Sequence, residues 1–142
     1  MQSLENTMLI TDLDGTLLPA SKEISVADAA AISQFRAKGG KFAIATGRTL
    51  QAAQRYLKKL QPNIPVILFN GAAIYDPVAE KWLYTEELPP EAVAITRQVL
   101  EAFPDVSAEI LRTDGTYVSR MTPYEKEHLE ICQVEPILAM PE

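Results

Sequence analysis

Two carboxylates one residue apart stand out in the chain. Asp12 and Asp14, in the run Asp12-Leu13-Asp14-Gly15-Thr16, follow directly on the apolar stretch Met8–Thr11. On extended chain, side chains two positions apart project to one side. Two ionised carboxylates ~4 Å apart repel by about 1–4 kcal/mol between water-like and surface-like dielectric. A bound cation or a shared proton relieves that repulsion. Oxygen donors of this kind suit Mg²⁺, which takes one or two carboxylates plus waters and a substrate phosphate. Gly15 lets the backbone turn sharply after the pair. An ordinary Asx turn closing a strand would place the same residues there, so the pair alone does not settle its chemistry.

Two further strand ends carry polar groups. Thr46-Gly47-Arg48 closes the run Lys41–Ala45 and precedes a helix. A hydroxyl, a close-approaching glycine backbone and a guanidinium beside a helix N-terminus make an anion site. The competing reading is that Thr46 or Thr49 caps the helix and Arg48 is solvated. Asn70-Gly71-Ala72 closes the run Val66–Phe69, and alone it reads as a turn. The joint placement shifts the balance. Three consecutive strand ends bring two acids, a phosphate-type cradle and a polar amide towards one sheet edge, where open α/β sheets bind ligands.

The elements that must position these groups alternate. Strands are expected at Met8–Thr11, Lys41–Ala45 and Val66–Phe69, each a continuous apolar run of the kind buried in a parallel sheet. Between them lie an alanine-rich helix opened by Ser25 and Asp28 and ended by Gly39-Gly40, and an amphipathic helix over 49–60. The fold class is therefore α/β, with a Rossmann-like parallel core. After Asn70 the pattern changes to a hairpin across 73–85, a helix from about 90 to 102, a hairpin around Asp114-Gly115, and a helix from Thr122-Pro123 to about Cys132. A boundary near Glu86–Pro90 divides a core, residues 1–86, from an α+β piece, residues 87–142. No closing element is legible in the final Pro-Ile-Leu-Ala-Met-Pro-Glu.

Composition narrows the partners. The 142 residues include 13 Lys and Arg against 19 Asp and Glu, a net charge of −6. That balance disfavours nucleic acid and anionic membrane surfaces. A lone cysteine, Cys132, fits a reducing compartment, and no secretory signal or membrane-spanning run is apparent, so a cytoplasmic protein is expected.

The runs MLITDLDGTLL, FAIATGR and ILFNGAAIYD, in this order and spacing, resemble the haloacid dehalogenase-like (HAD) hydrolases, and most nearly the Cof-type sugar-phosphate phosphatases, which carry a cap after the third strand. The resemblance covers residues 8–85, and 90–120 as the opening of the cap. It implies an Mg²⁺-dependent phosphatase acting on a small phosphorylated metabolite, such as a sugar phosphate or a flavin precursor, through an aspartyl-phosphate. Asp12 would be the nucleophile, and Asp14 the general acid and then the base that activates water. The Asp12 carboxylate and the Asp14 backbone carbonyl would hold Mg²⁺. Thr46 would hydrogen-bond the phosphoryl group, Gly47 and Arg48 would shape that loop, and Asn70 and Gly71 would line the substrate entrance. For Asp14 to act as an acid its pKa must be raised, and the neighbouring carboxylate would do that.

The resemblance also implies parts that are not found. Such enzymes need a lysine bracing the aspartyl-phosphate and a later Gly-Asp-rich acidic loop. Nothing after Glu86 looks like either, and Lys126, between Glu125 and Glu127, reads as a solvated helix face. The chain is thus expected to be an incomplete core followed by the first part of a cap, weakly active alone and prone to self-association through exposed edges. The alternative is a catalytically dead phosphate-binding or assembly module derived from such an enzyme. A receiver domain and a dinucleotide-binding domain are disfavoured, the first by the Thr46-Gly47-Arg48 loop, the second by the lack of Gly-x-Gly-x-x-Gly after the first strand. His128 is read as a surface residue and Cys132 as a small buried hydrophobe.

Overall fold

The computed structural model describes residues 3–139 and divides them between two compact units, Met1–Arg48 with Ala53–Glu86, and Thr49–Ala52 with Glu87–Glu142. In the first unit, β1 (Met8–Thr11) and β2 (Lys41–Ile44) pair in parallel, Met8 opposite Lys41 and Thr11 opposite Ile44. The crossover between them is α1 (Val26–Ala37). Its start is set by Ser25, whose hydroxyl accepts from the Asp28 amide at 3.0 Å and donates to the Asp28 carboxylate at 2.7 Å. Two polar side chains thus satisfy an otherwise orphaned helix-end donor. At the other end Gly40 lies against Phe35, where a Cβ would clash with the ring.

After β2 the chain enters α2 (Leu50–Leu60), capped by Thr49, whose hydroxyl accepts from the Ala52 amide at 3.2 Å. Then comes β3 (Val66–Leu68). The α/β class with a parallel core is as the apolar runs imply, but β3 joins the parallel pair at one rung only. Ala45 bridges Ile67, and the Thr46 amide donates to the Ile67 carbonyl at 3.0 Å. The three-residue strand gives its main ladder to an antiparallel partner, β4 (Ala73–Asp76), which pairs in turn with β5 (Lys81–Thr85). Trp82 on β5 packs edge-on to Tyr75 on β4, with ring centroids 5.0 Å apart.

Phe42, Ile44, Val66 and Leu68 are completely buried in this unit, together with Leu13. The side chain of Asn63 staples β2 from below, accepting from the Phe42 amide at 2.7 Å and donating to the Gly40 carbonyl at 3.0 Å. β1 is different. Its residues Met8, Leu9 and Ile10 remain 58%, 41% and 46% exposed, and among the described residues β2 is its one pairing partner. An apolar strand with an open edge is a site for association.

The second unit contains α3 (Glu91–Ala102), the hairpin β6 (Glu109–Arg112) and β7 (Gly115–Val118), and α4 (Pro123–Cys132). Arg112 faces Gly115, so the hairpin loop is Thr113-Asp114 and Gly115 already belongs to β7. Thr122 caps α4 through its hydroxyl, which accepts from the Glu125 amide at 3.1 Å. One element escaped the sequence reading. Pro136–Leu138 form β8, parallel to β7 with Ile137 opposite Tyr117. Three residues beginning with proline carry no periodicity, and the strand exists because β7 offers its free edge. The remainder of that run, 140–142, lies outside the described residues.

Val118, Leu129 and Val134 are among the buried residues of this unit. Glu125 on α4 is buried, and its Oε1 has no hydrogen-bond partner. Burial first, and then Glu125, push the Glu109 carboxyl up from its ordinary value of 4.5 to about 7. His128 is half exposed rather than free of neighbours, its Nε2 lying 3.4 Å from Glu109 Oε1 and 3.7 Å from Cys132 Sγ. A carboxyl whose pKa is raised in the folded state contributes stability that is present below its unfolded pKa and is lost as pH rises towards the folded value. Hydrogen-exchange protection of α4 and β7 amides, taken relative to the base-catalysed intrinsic rate, should therefore fall between about pH 4.5 and pH 7. In Glu125→Gln that pH dependence should flatten, whereas an unchanged slope would exclude the pair as its source.

Candidate active site

The strand ends carry the chemistry, and each is shaped by its own local hydrogen bonds. β1 stops at Thr11, and the chain then turns tightly. The Leu18 amide donates to the Leu13 carbonyl at 2.8 Å, and Gly15 adopts φ +75°, a left-handed conformation that suits glycine. Leu13 and Leu18 are buried on either side of this turn. Asp12 remains exposed, with its Oδ1 accepting from the Leu13 amide at 2.6 Å. Asp12 and Asp14 therefore lie beyond the strand in a turn, and the alternation of an extended chain does not apply to them.

Asp14 is held by two cations. Arg48 Nε donates to Asp14 Oδ2 at 2.8 Å, and Arg48 Nη2 to Oδ1 at 2.9 Å. Lys22 Nζ donates to the same Oδ1 at 2.7 Å. Arg48 is no solvated cap neighbour: its side chain is only 9% exposed, and its guanidinium lies over the Tyr56 ring, 5.1 Å from the centroid. The bidentate bond from Arg48, reinforced by Lys22, holds the Asp14 carboxyl well below the usual carboxylate range. This reverses the sequence expectation that a carboxylate neighbour would raise it. Two cations in direct contact outweigh a like charge, and burial opposes them only in part.

The other two strand ends meet. Thr46 is buried, and its hydroxyl accepts from the Arg48 amide at 3.2 Å. The Phe69 amide donates to the Arg48 carbonyl at 3.1 Å, and the Asn70 amide to the Thr46 carbonyl at 3.3 Å. Phe69, Asn70 and Gly71 take φ of +53°, +55° and +98° in succession, which folds the end of β3 back onto the Thr46–Arg48 loop. Gly47 permits this approach, since a Cβ there would sit 2.6 Å from Asn70 Oδ1. Asp14, Thr46, Gly47, Arg48 and Asn70 are thus joined by direct contacts, while Asp12 and Gly71 stand exposed beside them in the chain. Among the described residues no group of three or more His, Cys, Asp or Glu could hold a metal by itself.

Two participants had no signal in the sequence. Lys22, in Ser21-Lys22-Glu23, looks like any solvated loop lysine, and Tyr56 falls on the apolar face of α2 as an ordinary core residue. Only the fold brings Lys22 to Asp14, and Tyr56 to both Arg48 and the Lys22 carbonyl, to which its hydroxyl donates at 3.1 Å.

The family model described as haloacid dehalogenase-like hydrolase matches residues 9–136, and the chain belongs to that family. A similar relative is the 5-amino-6-(5-phospho-D-ribitylamino)uracil phosphatase YitU of Bacillus subtilis, 30% identical over 125 residues, covering 86% of this chain and 44% of the relative. The HMP-PP phosphatase of Cronobacter sakazakii is 32% identical over 70% of this chain and 35% of its own length. Among solved structures, a haloacid dehalogenase-like hydrolase from Bacteroides thetaiotaomicron superposes with a TM-score of 0.83 at 19% identity, over 94% of this chain and 51% of that one. The HAD subclass IIB sugar phosphatase BT4131 gives 0.77 at 25% identity, over 93% and 52%. The chain spans less than half the length of these curated relatives and about half that of these solved structures.

A depressed carboxyl pKa contributes stability that is present above the unfolded value and lost as pH falls towards the folded one. The Asp14 side-chain carbon should accordingly show no titration step near pH 4 by NMR. In Arg48→Met the step should return towards the ordinary range, and the stability gap between wild type and variant should narrow as pH drops below about 4. A wild-type inflection near pH 4 would refute the assignment of the two cations.

Proposed function

We propose that this chain carries the phosphoryl-transfer edge of an Mg²⁺-dependent phosphatase acting on a small phosphorylated metabolite of the sugar-phosphate type. The observation that carries the reading is the convergence of Asp14, Thr46, Gly47, Arg48 and Asn70 beside an exposed Asp12. The phosphatase names of the relatives support it.

In this reading Asp12 attacks phosphorus with its free carboxylate oxygen and forms an aspartyl-phosphate as the bond from phosphorus to the leaving alcohol oxygen breaks; water then attacks phosphorus, releasing inorganic phosphate and the Asp12 carboxylate, so one hard displacement becomes two easier ones. Thr46 hydrogen-bonds the transferring phosphoryl group, Gly47 and Arg48 shape that loop, and the Arg48 charge offsets that of the phosphoryl oxygens. Asn70 and Gly71 line the substrate entrance. Asp14 in its ionised state has the form needed to take a proton from water in the second step. To donate a proton in the first step, it must be released from Lys22 and Arg48. The donor set fits Mg²⁺ as a partial shell: the exposed Asp12 carboxylate and the Asp14 backbone carbonyl would hold it, and water and substrate phosphate would fill the remainder. The ion supplies charge neutralisation on the phosphoryl oxygens when bound. A cytoplasmic location belongs to the same reading and rests on the acidic composition and the lone Cys132.

Beryllium fluoride with Mg²⁺ is the direct test, because it mimics an acyl-phosphate only on a competent carboxylate. Trapping should be seen with the wild-type chain and lost completely in Asp12→Asn. Failure to trap in both, with inorganic phosphate still bound, would favour a non-catalytic phosphate-binding module. The open edge of β1 supports self-association as well. Static light scattering should give a mass above the 15.7 kDa monomer, and Ile10→Lys should lower it, whereas a monodisperse wild-type monomer would count against this.

A further inference from the structure

Lys22 is a loop lysine on no recognisable motif, yet its backbone and side chain are both fixed. It adopts φ +57°, a left-handed conformation that a non-glycine residue keeps only where its surroundings impose it. Two contacts impose it. The Lys22 amide donates to the Pro19 carbonyl at 2.8 Å, closing a turn, and the Lys22 carbonyl accepts from the Tyr56 hydroxyl at 3.1 Å. Tyr56 is itself 3% exposed, and its hydroxyl also accepts from Arg55. The same tyrosine ring lies beneath the Arg48 guanidinium. One buried side chain therefore sets the positions of two cations, one through its hydroxyl and one through its π face.

Both cations converge on Asp14, leaving two positive charges against one carboxylate. The side chain of Lys22 is 37% exposed, so its ammonium is open to solvent as well as to Asp14. A carboxylate seated between a lysine and a bidentate arginine occupies the kind of site that a phosphoryl group takes, and a phosphate dianion is the stronger counter-ion for two cations.

Building on the phosphate reading above, we infer that Lys22 is a phosphate-binding residue of this site, that the Asp14 carboxylate competes with phosphate for the same two cations, and that Tyr56 is the positioning residue that keeps Lys22 and Arg48 together. An arriving phosphomonoester exchanges with Asp14 on the two cations, so binding of the phosphoryl group and release of Asp14 are one event.

Inorganic phosphate titrated by calorimetry tests this, with thermal melts run on every variant. Lys22→Met should weaken binding about tenfold, as loss of one charge-assisted contact, and Lys22→Arg should recover most of it. Tyr56→Phe, which keeps the ring under Arg48 and loses only the hydroxyl, should weaken binding several-fold. Asp14→Asn should tighten binding, because the competitor loses its charge. The decisive comparison is Lys22→Met in the Asp14→Asn background. An undiminished tenfold loss there shows that Lys22 meets phosphate itself. No loss there means that Lys22 only anchors Asp14, which overturns this inference and leaves the phosphate site standing. Absence of phosphate binding in both wild type and Asp14→Asn, with both folded, would overturn the phosphate reading and this inference together.

Discussion

The Arg48–Asp14 pair is the constraint on which the site depends. It ties the turn after β1 to the loop after β2, two segments 34 residues apart in the chain. The bond is bidentate, and the arginine side chain is almost wholly buried and lies over Tyr56, so the guanidinium is held in place against the carboxylate. The rest follows outward from it. The Arg48 carbonyl receives the Phe69 amide, which folds the end of β3 onto the same loop. Gly47 can sit against Asn70 only because it has no Cβ. Breaking the pair would leave a mostly buried guanidinium without its main counter-ion, a costlier state than an exposed ion pair lost to water.

The same pair explains why an acid so close to the expected chemistry is held in its ionised form. Charge compensation by Arg48 and Lys22 stabilises the Asp14 carboxylate and ties down the turn that carries it. In the proposed mechanism, proton donation by Asp14 to a leaving group requires that compensation to be removed, and the inferred exchange with a phosphoryl group would remove it.

Both units leave buried polar atoms unmatched. In the first, Asn63 satisfies backbone groups at the start of β2, but Arg36 Nε is buried without a hydrogen-bond partner. In the second, Glu125 and Thr116 each bury an oxygen that has no hydrogen-bond partner, and Glu109 keeps its proton towards neutral pH. The first unit also exposes the apolar row Met8, Leu9 and Ile10 on an open strand edge.

Much of this protein was legible in its residues alone. Continuous apolar runs placed β1, β2 and β3 to within a residue; for β2 and β3 the reason is burial, which leaves little choice of side chain, whereas β1 carries the same apolar pattern and stays exposed. Ser25 with Asp28 and Thr122 with Pro123 marked helix starts, because cap chemistry is local. The polar strand ends pointed to the site, since in a parallel sheet successive strand ends must fall on the same side. What the sequence could not carry was anything decided by contact across distance. Pro136–Leu138 became a strand because β7 had an edge to offer, and β3 turned to an antiparallel partner because its short ladder was taken by β4. Lys22 and Tyr56 joined the site through a left-handed turn and a helix face, neither of which any spacing announces. Likewise the ionisation of Asp14 was set by which cations the tertiary structure placed against it, a sum over three dimensions that the linear order of charges does not contain.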